Sequence, residues 1–268
     1  MLNSVTKVLL EQRKYWNLMF RMAIFDIKGM YQTHYLGSLW QVINPIIQIA
    51  IYWFVFGLGI RGGNPVDGVP FFVWLLVGLI PWLFISPSIV QGSNSVHQQV
   101  SLVSKMQFPV SILPTIKIIS NSFQFIVMLS LLLIVCIIYN INFTIYIVQL
   151  PYYIFCLYIF LFSFNLLSST IATLIRDYQM FLQSMMRMLL YLSPVLWDTS
   201  SLPEAFQNLL KLNPFYYIIV GFRSSILGGH WIYESPIETL YFWTLTFALL
   251  YFGSKIHLKF RKNFMDYL

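Results

Sequence analysis

Four polar side chains in one apolar stretch, Gln41, Asn44, Gln48 and Tyr52, fall at intervals of three, four and four. On an α-helix that spacing puts them on one face. A second set, Gln183, Arg187 and Tyr191, recurs every fourth residue in another apolar stretch, and Pro194 continues the line. Carboxamides and phenols donate and accept hydrogen bonds, and a guanidinium binds phosphate oxygens two at a time. The chemistry these sets offer is recognition of hydroxyls and anions rather than bond breaking. Two readings fit them. They are hydrogen-bond glue between helices, each bond worth about 1 kcal/mol, or they line one shared polar route. Arg187 favours the route, because a basic residue near the middle of an apolar span costs roughly 2.5–3.5 kcal/mol.

A third set is basic. Lys7, Lys14, Arg21 and Lys28 recur every seventh residue, opposite a stripe that includes Trp16, Met19, Phe20, Ala23, Ile24, Ile27 and Tyr31. This is the pattern of an amphipathic helix lying in a membrane interface. It serves as a surface anchor, or as an anchor that also docks a partner. Lys14, Arg21 and Lys28 are the candidates for attracting an anionic headgroup.

Other chemistries leave no mark. No Gly-rich loop ends in Gly-Lys-Ser/Thr. His34, His97, His230 and His257 are scattered, and no Ser-His-Asp or paired-carboxylate spacing is visible. Cys136 and Cys156 lie inside apolar stretches and read as packing residues.

The elements that must position these residues follow from hydropathy. The spacing predicts an all-α membrane protein: an amphipathic interfacial helix over residues 1–36, then a six-span domain over 37–268. The expected spans are 37–60, 70–90, 115–139, 146–175, 180–197 and 237–256, each judged against a hydrocarbon core of about 30 Å. Pro81 and Pro87 interrupt the second. Between the second and third, about 94–107 forms a short helix that Pro109 ends. Before the last span, Pro203–Leu227 reads as two short helices dipping into the membrane and returning, since the run Phe215–Leu227 is too short to cross.

Charge sets the orientation. Charged residues are only 9% of the 268, against about a quarter in soluble domains. Of the 16 Lys and Arg residues, Arg187 sits within a span and Arg61, Lys211 and Arg223 fall on one side. The other twelve share the side of both termini, so both ends are expected to be cytoplasmic. The net charge of +7 then faces anionic lipid or a cytoplasmic partner, not nucleic acid. The charged, amphipathic start is not the pattern of a cleavable signal peptide.

Local motifs follow this frame in order. They are Asp26-Ile27-Lys28 with Tyr31, Leu36-Gly37-Ser38-Leu39-Trp40 with Pro45, Gly78-Leu79-Ile80-Pro81-Trp82, and Leu102-Val103-Ser104-Lys105 with Phe108-Pro109. Leu113-Pro114, Arg176-Asp177, Ser193-Pro194-Val195 and Asn213-Pro214-Phe215 complete the series. Together the frame and the motifs resemble the permease subunits of type-2 ATP-binding-cassette exporters, in the polysaccharide-exporting branch. That branch includes O-antigen and capsule permeases. The length and the Asp67-Gly68-Val69-Pro70-Phe71 loop look most like its teichoic acid translocation member.

The resemblance implies a homodimer with two copies of a separate cytoplasmic ATPase that holds ATP and magnesium, so this chain has no nucleotide site or cofactor of its own. It implies a cargo polymer on undecaprenyl diphosphate, moved from the inner to the outer leaflet of a bacterial plasma membrane. It places the ATPase contact on the N-terminal helix and on the first inner loop, about Ser93–Gln107, where Val100, Leu102, Val103 and Lys105 are the expected coupling residues. Trp40, Tyr52, Trp53, Tyr191 and Trp197 offer stacking surfaces beside the polar faces, although Trp40 and Trp197 also suit an interfacial aromatic belt. The competing classes are a drug-exporting relative, an integral-membrane transferase acting on lipid-linked sugar, and a passive channel or scramblase.

Overall fold

The computed structural model describes residues 2–31, 35–60, 62–99, 109–175, 177–199, 202–261 and 264. The described residues form helices and no strand; a single bridge, Val66 to Val69, closes a tight turn. Asp67 and Gly68 both have positive φ in that turn, 48° and 77°, the backbone that an Asp-Gly pair supplies most easily.

The chain opens with α1 (Leu2–Lys14) and α2 (Trp16–Tyr31). The sequence implies one helix here. The structure has two that nearly merge, since the Tyr15 amide donates to the Glu11 carbonyl and the Met19 amide to the Tyr15 carbonyl. After a short 3-10 turn (Gly37–Leu39) comes α3 (Trp40–Tyr52), which widens into a π-helix over Trp53–Ile60. α4 (Phe71–Ser93) is the centre of the molecule. It is apolar on every side, as a helix surrounded by others must be, and it packs against α6 (Leu113–Ile138) and α7 (Leu150–Leu174). α5 is one turn, Ser95–Gln98.

Then α8 (Tyr178–Leu192), α9 (Glu204–Leu210), α10 (Pro214–Leu227) and α11 (Pro236–Phe260) complete the chain. α11 runs along α7, and α10 packs on α4 and α7. Close approach depends on missing side chains: a methyl on Gly221 of α10 would overlap the Tyr153 ring of α7, and one on Gly92 of α4 would overlap Asn165 of α7.

Among the described residues, four helices are long and apolar enough to cross a membrane: Trp40–Ile60, Phe71–Ser93, Val110–Ile138 and Ile145–Leu174. The fifth expected span is shorter than its apolar run. α8 has 15 residues, roughly 22 Å of helix. It stops because Pro194 disfavours helical backbone at Ser193, which is extended at ψ 153°. α11 has the length, 25 residues, but Thr, Tyr and Trp dilute its apolar content.

Two apolar cores result among the described residues. The large one unites α4, α6, α7, α10 and α11. The small one lies where the chain ends meet: Met19 and Ala23 of α2 pack with Val96, Val110, Ile112, Leu113, Ile116 and Phe264. Cys136 and Cys156 are buried and unbridged.

Candidate functional site

A cavity of about 510 Å³ opens between α3, α4, α6 and α8. α3 contributes Trp40, Asn44, Gln48 and Tyr52, one residue per helical turn. α4 adds Ser86 and Gln91, and α6 adds Asn121 and Gln124. Asn121 Nδ2 donates to Gln91 Oε1 at 3.3 Å. Arg187 reaches in from α8 between Met186 and Leu190. Its described side-chain bond is a donation from Nη2 to Ser184 Oγ at 3.2 Å, and its side chain is exposed.

α8 is pinned at both ends, which fixes where Arg187 points. At its start, Gln179 Nε2 donates to the Val90 carbonyl at 2.8 Å and Gln179 Oε1 accepts from Ser93 Oγ at 2.8 Å. At its end, Asn213 Nδ2 donates to Ser193 Oγ at 2.8 Å. There the guanidinium of Arg223 donates Nη1 to the Pro194 carbonyl and Nη2 to the Val195 carbonyl at 2.9 Å. Carbonyls freed by a helix break deep in a bundle need such donors. The Arg223 guanidinium also lies 3.4 Å from the centre of the Trp74 ring. Arg223 therefore holds the turn after α8 against α4; it is no free outer charge.

The expected route residues divide. Asn44, Gln48, Tyr52 and Arg187 line one cavity, while Gln41, Gln183 and Tyr191 lie outside its wall. Gln183 and Tyr191 are exposed on α8, and the Tyr191 carbonyl accepts from Trp197 Nε1 at 2.7 Å. Ser86, Gln91, Asn121 and Gln124 were not singled out by sequence reasoning. A signal existed for two of them: Lys117, Asn121 and Gln124 are spaced by four and three, the same rule that marks α3. Lys14, Arg21 and Lys28 are exposed on α1 and α2, with Lys14 Nζ 5.2 Å from the Tyr15 ring centre. Val100, Leu102, Val103 and Lys105 lie outside the described residues.

Where the chain ends meet, two ion pairs hold the terminal helices. Lys117 Nζ is 2.8 Å from both Asp26 carboxylate oxygens. Arg261 Nη1 is 2.7 Å from Glu11 Oε1, and Ser111 Oγ donates to Glu11 Oε2 at 2.5 Å. Gln12 Nε2 adds a bond to the Ser111 carbonyl at 2.9 Å. Burial opposes ionisation of Glu11, but the Ser111 hydroxyl and Arg261 outweigh it and hold the carboxyl below its usual range. Among the described residues, no three His, Cys, Asp or Glu side chains gather as a metal site would require.

Residues 18–227 match the family model for the ABC-2 type transporter. Among curated proteins, the O-antigen export system permease protein RfbA of Klebsiella pneumoniae is 26% identical over 244 residues, covering 91% of this chain and 92% of that protein. The O-antigen export system permease protein RfbA of Myxococcus xanthus is 25% identical over 258 residues, covering 96% and 97%. The match takes in every helix that lines the cavity and both segments that pin α8. This chain belongs to the ABC-2 type transporter family.

Proposed function

We propose that this chain is the membrane permease subunit of an ATP-driven exporter of a lipid-linked cell-envelope polysaccharide, acting in a bacterial plasma membrane from the inner to the outer leaflet. The observation that carries this reading is the cavity wall. It offers carboxamides and aromatic rings to sugar hydroxyls, with one guanidinium for phosphate, and a chain can slide along such a wall without being trapped. The cargo is of the O-antigen class, by similarity to the two RfbA permeases. Wall teichoic acid is a second reading, favoured by the Asp67–Phe71 loop.

The working unit is a homodimer with two ATPase subunits that supply the nucleotide site. Exposed Ile46, Ile47 and Ile51 on α3, with Phe54 in the π-helix that continues it, give a face for lipid or a second copy. Both termini are cytoplasmic, α8 and α11 complete six spans, and α9 with α10 forms the re-entrant pair. The break at Ser193–Asp198, capped by Arg223, lets a short α8 complete its crossing through a satisfied turn rather than through helix.

The test is reconstitution. The permease, co-purified with its ATPase, is placed in proteoliposomes carrying lipid-linked O-polysaccharide or lipid-linked teichoic acid. ATP-dependent exposure of one polymer to an external lectin or antibody is expected. Turnover of the lipid-linked sugar without ATPase, or flux without ATP, would sink the proposal.

A further inference from the structure

The Asp26–Lys117 pair occupies an unusual position for a structural staple. Lys117 is 5% exposed, yet the pair lines a groove of about 550 Å³ between α2 and α5. Gln98 and Gln99 form the opposite wall. Met30 lines both this groove and the amide-lined cavity, so the two spaces adjoin. Along α6, Lys117 stands in the groove while Asn121 and Gln124, one and two turns further on the same face, stand in the cavity. The ammonium is thus the first polar group of a continuous face that leads inward.

The contact itself has the shape of anion recognition. Nζ is equidistant, at 2.8 Å, from both oxygens of Asp26. Two non-bridging oxygens of a phosphate present the same pair of acceptors. A buried ammonium left bare is strongly disfavoured, so Asp26 leaves only as another anion arrives. We infer that Lys117 is a binding residue for a phosphate or diphosphate headgroup, and that Asp26 fills this site while the groove is empty. Arrival of the headgroup displaces the carboxylate and breaks this tie between α2 and α6, while the apolar contacts of Met19 and Ala23 and the Glu11, Ser111 and Arg261 network keep the two terminal helices in place. That the occupant is the lipid-linked cargo rests on the proposed exporter reading; the anion site does not.

The test uses the full-length protein in phosphatidylcholine nanodiscs. Inorganic pyrophosphate is titrated by phosphorus NMR against the native protein and the variants Asp26→Asn, Lys117→Gln, Asp26→Asn/Lys117→Gln and the exchanged pair Asp26→Lys/Lys117→Asp. Removing the competing carboxylate in Asp26→Asn is expected to tighten binding several-fold. Loss of the charge in Lys117→Gln and in the neutral double variant is expected to weaken it about tenfold or more. The exchanged pair restores the staple, so its unfolding temperature should match the native value and show that the ion pair alone sets that stability. Native affinity in the neutral double variant overturns the inference.

Two further nanodisc preparations, one with a polyprenyl diphosphate and one with phosphatidylglycerol, separate the sources. Lys117-dependent capture confined to the diphosphate lipid marks the cargo, and equal capture of both overturns that assignment. Because export is not the readout, binding without transport overturns the proposed function alone.

Discussion

Two arginines sit in opposite environments, and sequence position alone reverses them. Arg187 falls mid-way along an apolar run and reads as the costly buried cation, but its side chain is exposed at the cavity wall. Arg223 reads as a charge of the outer side, on the second of two short dipping helices, but its guanidinium is packed between Trp74 and two carbonyls. The difference is tertiary: α10 folds back against α4, and nothing in residues 214–227 announces which neighbour supplies the acceptors. Arg223→Lys keeps the charge and loses the planar fork. It is expected to lower stability by about 1–3 kcal/mol, read as a fall in unfolding temperature in detergent; an unchanged midpoint would mean the clamp is idle. Arg187→Gln is expected to leave unfolding unchanged and remove most ATP-dependent export, with Arg187→Lys retaining part. Destabilised Gln protein that still exports would make Arg187 structural.

At the scale of elements, hydropathy and proline placed most helices within a few residues of where they lie. The third apolar stretch, expected over 115–139, is α6 over Leu113–Ile138, and the polar face of α3 was visible from intervals alone. What the sequence concealed is where an apolar run stops being helix. Ser193, Pro194, Val195 and Leu196 are all buried, so hydropathy continues after α8 has ended. The opposite error occurs on α6, where Asn121 and Gln124 were hidden by an apolar average. Close packing was equally silent, because a glycine shows no partner until the fold supplies one. Gly221→Ala brings a methyl into the Tyr153 ring and should cost about 1–3 kcal/mol by overpacking. Thermal unfolding measures it, and the additional variant Tyr153→Leu should recover part of the loss. A Gly221→Ala protein as stable as the native one would show that α7 and α10 separate easily.

For the whole molecule, the arrangement of ends is the property most open to measurement. Cysteine placed at Asn64 or Ser235 should react with an impermeant reagent from outside, and cysteine at Ser4 should not; the reverse pattern would invert the topology. The Glu11–Ser111–Arg261 network should also respond to acid. Because the folded pKa of Glu11 is lowered, its stabilisation is complete above the ordinary value of 4.5 and is lost as pH falls through the lower folded value. Hydrogen exchange in α1 should rise over that window, and Glu11→Gln should flatten the profile; an unchanged profile would assign the transition elsewhere. The same network also orders events in time. Glu11 and Arg261 are 250 residues apart, so at about 5–20 residues per second the ribosome needs roughly 12–50 s to make the partner after the carboxylate emerges. For that interval α1 has no ion pair to close. A chain stalled or truncated before residue 261 therefore lacks the Arg261 arm of the network, and its basic N-terminal helix keeps the Ser111 bonds to Glu11 and Gln12 without the closing charge.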